Sequence, residues 1–205
     1  MKKTRTAILL LILPLALAAL ACTIFVGGPD YPKTPVPVST EAVGSLDDQF
    51  HAAETAAADS GTLTLTINES QVTSLVANKL DEQTDPSTGS QRPDVPAGGQ
   101  APFITDPQVY LRDGQIQIYG KAVQGNLQAN VRIILSATLD ANGKPVISVV
   151  SADFGPLPAP EGLNNAISKM VDEAFTGAIG PAAIGFRLES LTIADGVMTL
   201  TGRVK

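Results

Sequence analysis

The chain has 205 residues, 44% hydrophobic but only 4% aromatic, with no Trp, one Cys and a formal net charge of −6. That length supports a real core. The acidic balance disfavours nucleic acid, whose phosphates need basic surface, and the scarcity of aromatic rings disfavours a sugar-stacking surface. With Cys22 as the sole cysteine no intramolecular disulfide can form, so stability must come from aliphatic burial.

Residues 1–21 read as a secretory signal: Lys2, Lys3 and Arg5 precede an uncharged apolar run ending Ala19-Leu20-Ala21 before Cys22. Ala-Leu-Ala-Cys resembles the looser form of a bacterial lipobox, in which the cysteine thiol is diacylated and becomes the new N-terminus. Cys22 is therefore the lipidation candidate. The alternative is an uncleaved signal anchor, because Ala7 to Val26 is almost continuously apolar and reaches the roughly 20 residues of a bilayer span. Pro14 weakens that helix without forbidding it. Either way the basic end stays inside and the rest lies outside the cytoplasm, attached to the bacterial cell membrane. Without residues 1–21 the chain keeps 11 basic and 20 acidic residues, a net charge of −9. Anionic headgroups repel such a chain, which makes the covalent anchor the expected attachment.

Residues 22–45 hold Pro29, Pro32, Pro35 and Pro37 among Gly, Ser and Thr, the composition of a semi-extended tether. One domain is expected over 46–205. It opens with an alanine-rich helix over Leu46–Ala58, and Thr62 to Ile67 then alternates as a half-buried strand does. Asn68 and Gln71 have capping-box spacing and start a helix with Val72, Leu75, Val76 and Leu80 on one face. Residues 82–102 form a long low-complexity loop, either disordered or a flap over a site.

An internal repeat follows. Val109 to Lys121 reads apolar-x-apolar-x-Asp-Gly-x-apolar-x-apolar-x-Gly-basic, and Leu191 to Arg203 reads the same. Each is a β-hairpin whose Asp-Gly supplies positive φ angles. Between them Leu127 to Leu139 is apolar at every odd position, a strand of roughly 43 Å at ~3.3 Å per residue. Asn142-Gly143 is the preferred pair for a two-residue turn, which would set Leu139 opposite Val146, Leu135 opposite Val150, Ile133 opposite Ala152, Val131 opposite Phe154 and Arg132 opposite Asp153. In that register Ile134, Ile147 and Val149 lie outside the core series, on a face that is either partly buried in a twisted sheet or a groove or partner surface. A helix over 162–179 carries Leu163, Ile167, Met170, Val171, Ala174 and Phe175 in its apolar stripe and ends at Gly180-Pro181.

Little in the chain carries chemistry. His51 is the only histidine and has no second imidazole or thiol for a metal site. The acid pairs Asp47-Asp48, Asp81-Glu82 and Asp172-Glu173 are adjacent in sequence and do not converge. No nucleophile elbow, phosphate loop or dinucleotide fingerprint is present, so neither an enzyme nor a cofactor is expected.

The segment Asp153-Phe-Gly-Pro-Leu-Pro-Ala-Pro160, with the long hairpin before it, the strand-then-helix unit Thr62 to Leu80 and the terminal Asp-Gly hairpin, resembles bacterial relatives of the tubular lipid-binding (TULIP-like) proteins. Within these the chain is most similar to the YpmS-like family. The early helix there often opens Glu-x-Gln-x-Asn; Glu69-Ser-Gln71 fits, while Thr73 replaces the Asn, whose role cannot be carried over.

The fold expected is α+β: long, strongly twisted antiparallel hairpins wrapped on a long amphipathic helix in an elongated body. The resemblance implies an apolar groove able to take acyl chains, with Leu163, Ile167, Met170, Val171, Ala174 and Phe175 on the helix side. Val131, Ile133, Leu135, Val150 and Phe154 are its sheet side. The function expected is an anchored extracytoplasmic lipoprotein binding a lipid or other apolar ligand. The alternative is a structural or interaction lipoprotein with a packed core.

Overall fold

The computed structural model describes residues 23–84, 103–159 and 186–204, with Gly162 and Asn165 besides. Helix α1, Thr40–Ser60, starts earlier than its alanine-rich stretch because Ser39 caps it: the Ser39 hydroxyl accepts from the Ala42 N–H at 3.1 Å. Gly61 ends it at φ 71°, donating its N–H to the Ala57 carbonyl. The expected tether thus gives its last six residues, 40–45, to α1. Strand β2, Thr62–Asn68, alternates as read, with Leu63, Leu65 and Ile67 buried. Helix α2, Glu69–Thr84, opens on the reciprocal capping box, with Asn68 N–H on Gln71 Oε1 (2.9 Å) and Gln71 N–H on Asn68 Oδ1 (3.0 Å). Its first residues past 81 are helical, so the expected 82–102 loop begins later; residues 85–102 lie outside the described residues.

The strands that follow are β3 (Phe103–Arg112), β4 (Gln115–Gln124), β5 (Leu127–Leu139), β6 (Pro145–Asp153), β7 (Phe186–Ala194) and β8 (Val197–Val204), with a two-residue β1 (Ile24–Phe25) before α1. Both repeats are tight hairpins: Asp113 and Gly114 at φ 54° and 74°, Asp195 and Gly196 at φ 51° and 83°. One sheet runs β1-β5-β4-β3, with β6 also on β5; the other runs β2-β8-β7. The first part of β5 pairs in parallel with β1 (Ile24 with Leu127), and from Arg132 onward the same edge pairs with β6. Helices and two antiparallel-dominated sheets make this an α+β fold.

The third hairpin departs from its expected register. Its connection is the five-residue Asp140–Lys144, because the Asp140 carboxylate accepts from the N–H groups of both Asn142 and Lys144 at 2.8 Å. The loop also leans on β7, where Arg187 donates to the Ala141 carbonyl at 2.7 Å. Leu139 therefore faces Pro145 and Leu135 faces Val149, and a bulge at Val150 restores the expected pairs Ile133 with Ala152 and Arg132 with Asp153. The correction matters for the faces. Ile147 and Val149 turn into the core, while Val146 and Val150 are 42% and 56% exposed. Arg132 and Asp153 are neighbours in register, but the Asp153 carboxylate accepts from the Gly155 N–H instead.

Two cores result. Ala122, Ala129, Val131, Ile133, Leu135, Phe154 and Leu157 form the first, on the five-stranded sheet. Leu65, Ile67, Leu188 and Leu200 form the second, against Leu46 and Phe50 of α1. Burying each such Leu, Ile or Phe contributes about 1.5–3 kcal/mol.

Helix α2 buries a polar face more deeply than the expected apolar stripe, of which Val72 packs on the second core. Val72, Leu75, Val76 and Leu80 are half-buried, whereas Gln71, Thr73 and Ser74 are 0–1% exposed. The reason is β3, whose far side has no strand partner among the described residues. The Thr73 hydroxyl accepts from the Val109 N–H (3.0 Å) and donates to the Val109 carbonyl (3.3 Å). Glu69 Oε1 accepts from the Leu111 N–H (2.8 Å), and the Leu111 carbonyl accepts from Gly196 N–H (2.9 Å). Every edge-facing group of Val109 and Leu111 is thereby satisfied. Gly196, at the tip of β7–β8, sits against the Glu69–Arg112 ion pair, where a Cβ would lie 3.0 Å from Arg112 Nη1.

Candidate functional site

On the face of the five-stranded sheet opposite the first core, the alternation of β3, β4 and β5 presents Tyr110, Arg112, Gln117, Tyr119, Lys121, Asn130 and Arg132. The proline-rich segment 29–37, read from sequence as a spacer, lies across this face. A segment with such composition makes few hydrogen bonds of its own, and here sheet and α2 side chains supply partners. Asn130 Nδ2 donates to the Pro29 carbonyl (3.1 Å), Tyr110 Oη to that of Thr34 (2.6 Å), and Ser70 Oγ to that of Pro37 (2.7 Å). In return Val36 N–H donates to Gln108 Oε1 (2.6 Å), Ser39 N–H to Ser74 Oγ (3.0 Å), and Tyr31 Oη to the Asp106 carbonyl (2.7 Å). Within the segment, Val36 is buried.

This brings all three tyrosines of the chain together. Tyr31, Tyr110 and Tyr119 line an open cleft of about 290 Å³ with Asp30, Pro32, Arg112 and Gln117. Tyr110 and Tyr119 meet edge-to-face at 5.6 Å. A cation lies over each ring: Lys121 over Tyr31 (5.4 Å), Arg112 over Tyr110 (6.0 Å) and Arg132 over Tyr119 (5.8 Å). Arg112 is held by Glu69, and Lys121 by the Asp106 carboxylate at 2.8 Å. Arg132 Nε is buried and lacks a hydrogen-bond partner.

Electrostatics follow from this packing. Burial pushes the Tyr31 hydroxyl above the ordinary tyrosine range, and the Asp106 charge adds to it. Tyr110 is raised by burial first and then by the Glu69 charge. Burial would raise Asp106 too, but Lys121, Tyr31 and Gln108 outweigh it and hold the carboxyl low. The cleft offers ring faces and hydrogen bonds, and its lining contains no Ser, Cys or His.

Of the sheet residues read as groove walls, Val131, Ile133, Leu135 and Phe154 are 1–3% exposed and share the first core. Val150 does not join them, because the bulge turns it outward. Leu163, Ile167, Met170, Val171, Ala174 and Phe175, and Cys22, lie outside the described residues. His51 stands exposed on α1 beside Glu54 (3.4 Å) and Asp47 (3.9 Å). Among the described residues no group of three or more His, Cys, Asp or Glu converges as a metal site.

The tyrosine cleft was missed from sequence, although the repeat held a signal. Its two copies agree at inward positions and differ outward: Tyr110, Gln117 and Tyr119 stand where the second copy has Thr192, Thr199 and Thr201.

No family model matches the chain, and no curated protein does. Among solved structures the chain is similar to a lipopolysaccharide binding protein, at 14% identity and a TM-score of 0.27, over 71% of this chain and 49% of that one. The chain thus spans about half the length of that structure.

Proposed function

We propose that this is a membrane-anchored, extracytoplasmic, non-catalytic domain that holds a lipid or other apolar ligand against the inward face of its five-stranded sheet. One observation carries the reading. From Ala122 and Ala129 through Val131, Ile133 and Leu135 to Phe154, that face is lined by aliphatic and aromatic side chains without a charge among them, as a site for acyl chains requires. The anchor is either an acylated Cys22 or the uncleaved apolar segment, and both leave the domain on the outer side of the membrane. The test is native mass spectrometry of the chain purified without detergent, followed by solvent extraction. A stoichiometric apolar mass beyond any covalent acyl group is the expected result; a ligand-free chain would overturn it.

A second reading rests on the depth of burial. Val131, Ile133 and Leu135 are only 1–3% exposed, which suits a packed core. In that case the chain is a structural or interaction lipoprotein of the envelope.

A further inference from the structure

We infer that the end of the five-stranded sheet formed by Ile24, Phe25 and Leu127 seats in the interface of the bilayer that anchors the chain. The inference rests on the anchored reading proposed above and adds an orientation and a contact surface to it. Ile24 and Phe25 are each 58% exposed and Leu127 is 39% exposed; β1 pairing sets Ile24 beside Leu127 on one face of the sheet end and Phe25 beside Gln128 on the other. Three large apolar side chains in water at one sheet end need a cover.

Charge indicates which cover. The described segments that meet at this end are Thr23 to Pro29, Ala122 to Val131, the start of β3 before Asp106, where Ile104 pairs with Ala122, and Phe154-Gly155, where Gly155 packs on Gly28. None of them contains a charged residue; the charged residues that border them are Lys121 and Arg132 and, set back from the tip, Asp30, Asp106 and Asp153. The other end of the sheet carries Asp113, Asp140 and Lys144 in its turns. An acidic chain that anionic headgroups would repel therefore has one sheet end whose tip, among the described residues, carries no charge.

Connectivity points the same way. Ile24 follows Cys22 by two residues, a reach of about 7 Å at full extension. The backbone beyond is fixed to the sheet: Ile24 N–H on the Asn126 carbonyl (2.7 Å), Val26 N–H on that of Gln128 (2.8 Å), and Asn130 N–H on that of Gly27 (2.9 Å). Gly28 approaches so closely that a Cβ there would lie 2.4 Å from the Asn130 carbonyl oxygen. No slack chain separates the anchor from the sheet end, so whatever membrane takes the anchor meets Ile24 and Phe25 first.

The absence of Trp makes the test direct. Phe25→Trp, Leu127→Trp and, at the charged end, Val146→Trp each give the full chain a single indole. Each is reconstituted into phosphatidylethanolamine–phosphatidylglycerol vesicles with plain or brominated acyl chains, and flotation is measured in parallel. The expected result is blue-shifted emission from Phe25→Trp, quenched at least two-fold by brominated lipid, with Val146→Trp unquenched; Leu127→Trp gives the same answer if Phe25→Trp does not fold. Vesicles that float the protein while both tip indoles stay unquenched would overturn the inference and leave the anchor intact. A blue shift without bromine quenching would mean a protein covers the tip, and would overturn it equally. Failure to float would remove the anchored reading and this contact with it.

Discussion

Replacing Thr73 by Val keeps the side-chain volume and removes one hydroxyl, and the structure says what that hydroxyl does. It is fully buried, takes the Val109 N–H at 3.0 Å and gives its own proton to the Val109 carbonyl at 3.3 Å. No strand lies beyond β3 to take over among the described residues, and water is kept out. The valine variant strands a buried donor and acceptor, at a cost of about 1–3 kcal/mol. For a chain of this size each kcal/mol lowers Tm by about 2–4 °C, so a fall of about 2–12 °C is expected. Thr73→Ser keeps the hydroxyl and loses only a methyl, near 0.8 kcal/mol. Because these ranges approach one another, the deciding measurement is amide exchange at Val109. Its protection should drop at least ten-fold in Thr73→Val and persist in Thr73→Ser. A Val109 amide equally protected in both variants would refute the claim that Thr73 closes the edge of β3.

Three further outcomes are expected. Cys22→Ser should abolish lipid labelling and accumulate precursor; unchanged mass and membrane partition in that variant would identify a signal anchor instead. Gly114 and Gly196 occupy the same turn position, both at positive φ, yet a Cβ at Gly114 meets nothing within 4 Å. Gly114→Ala should therefore show only the left-handed backbone cost of about 1–2 kcal/mol, and Gly196→Ala more, by urea denaturation, because it also crowds the Glu69–Arg112 pair. Tyr31 is raised by burial and by Asp106, so past pH ~10 the unfolded tyrosine ionises first and stability falls as pH rises; Tyr31→Phe should flatten that slope between pH 9 and 11.

Local chemistry was the legible part. The Asn68–Gln71 box, the alternation of β2 and both Asp-Gly hairpins depend on neighbours within a few residues, and each stands as read. Asn142-Gly143 misled because a side chain outside the pair, Asp140, offered its oxygen to two loop N–H groups and lengthened the connection. The course of segment 29–37 could not be read at all, since its partners Asp106, Gln108, Tyr110 and Asn130 lie far along the chain. The polar packing face of α2 is the subtler case. Thr73 was visible as a departure from an Asn-bearing motif, but its meaning needed the unpaired side of β3.

The pairing of β2 with β8 has a consequence for how the chain is made. Leu63, Leu65 and Ile67 face their sheet only after Val197 to Arg203 have arrived. At about 5–20 residues per second, roughly 6–25 s of synthesis separate the two strands. Through that interval β2 is an alternating apolar strand with both edges open, the kind of segment other chains pair with. What closes that hazard is the arrival of Val197 to Arg203, which cover one edge of β2 and turn its alternation into a paired strand.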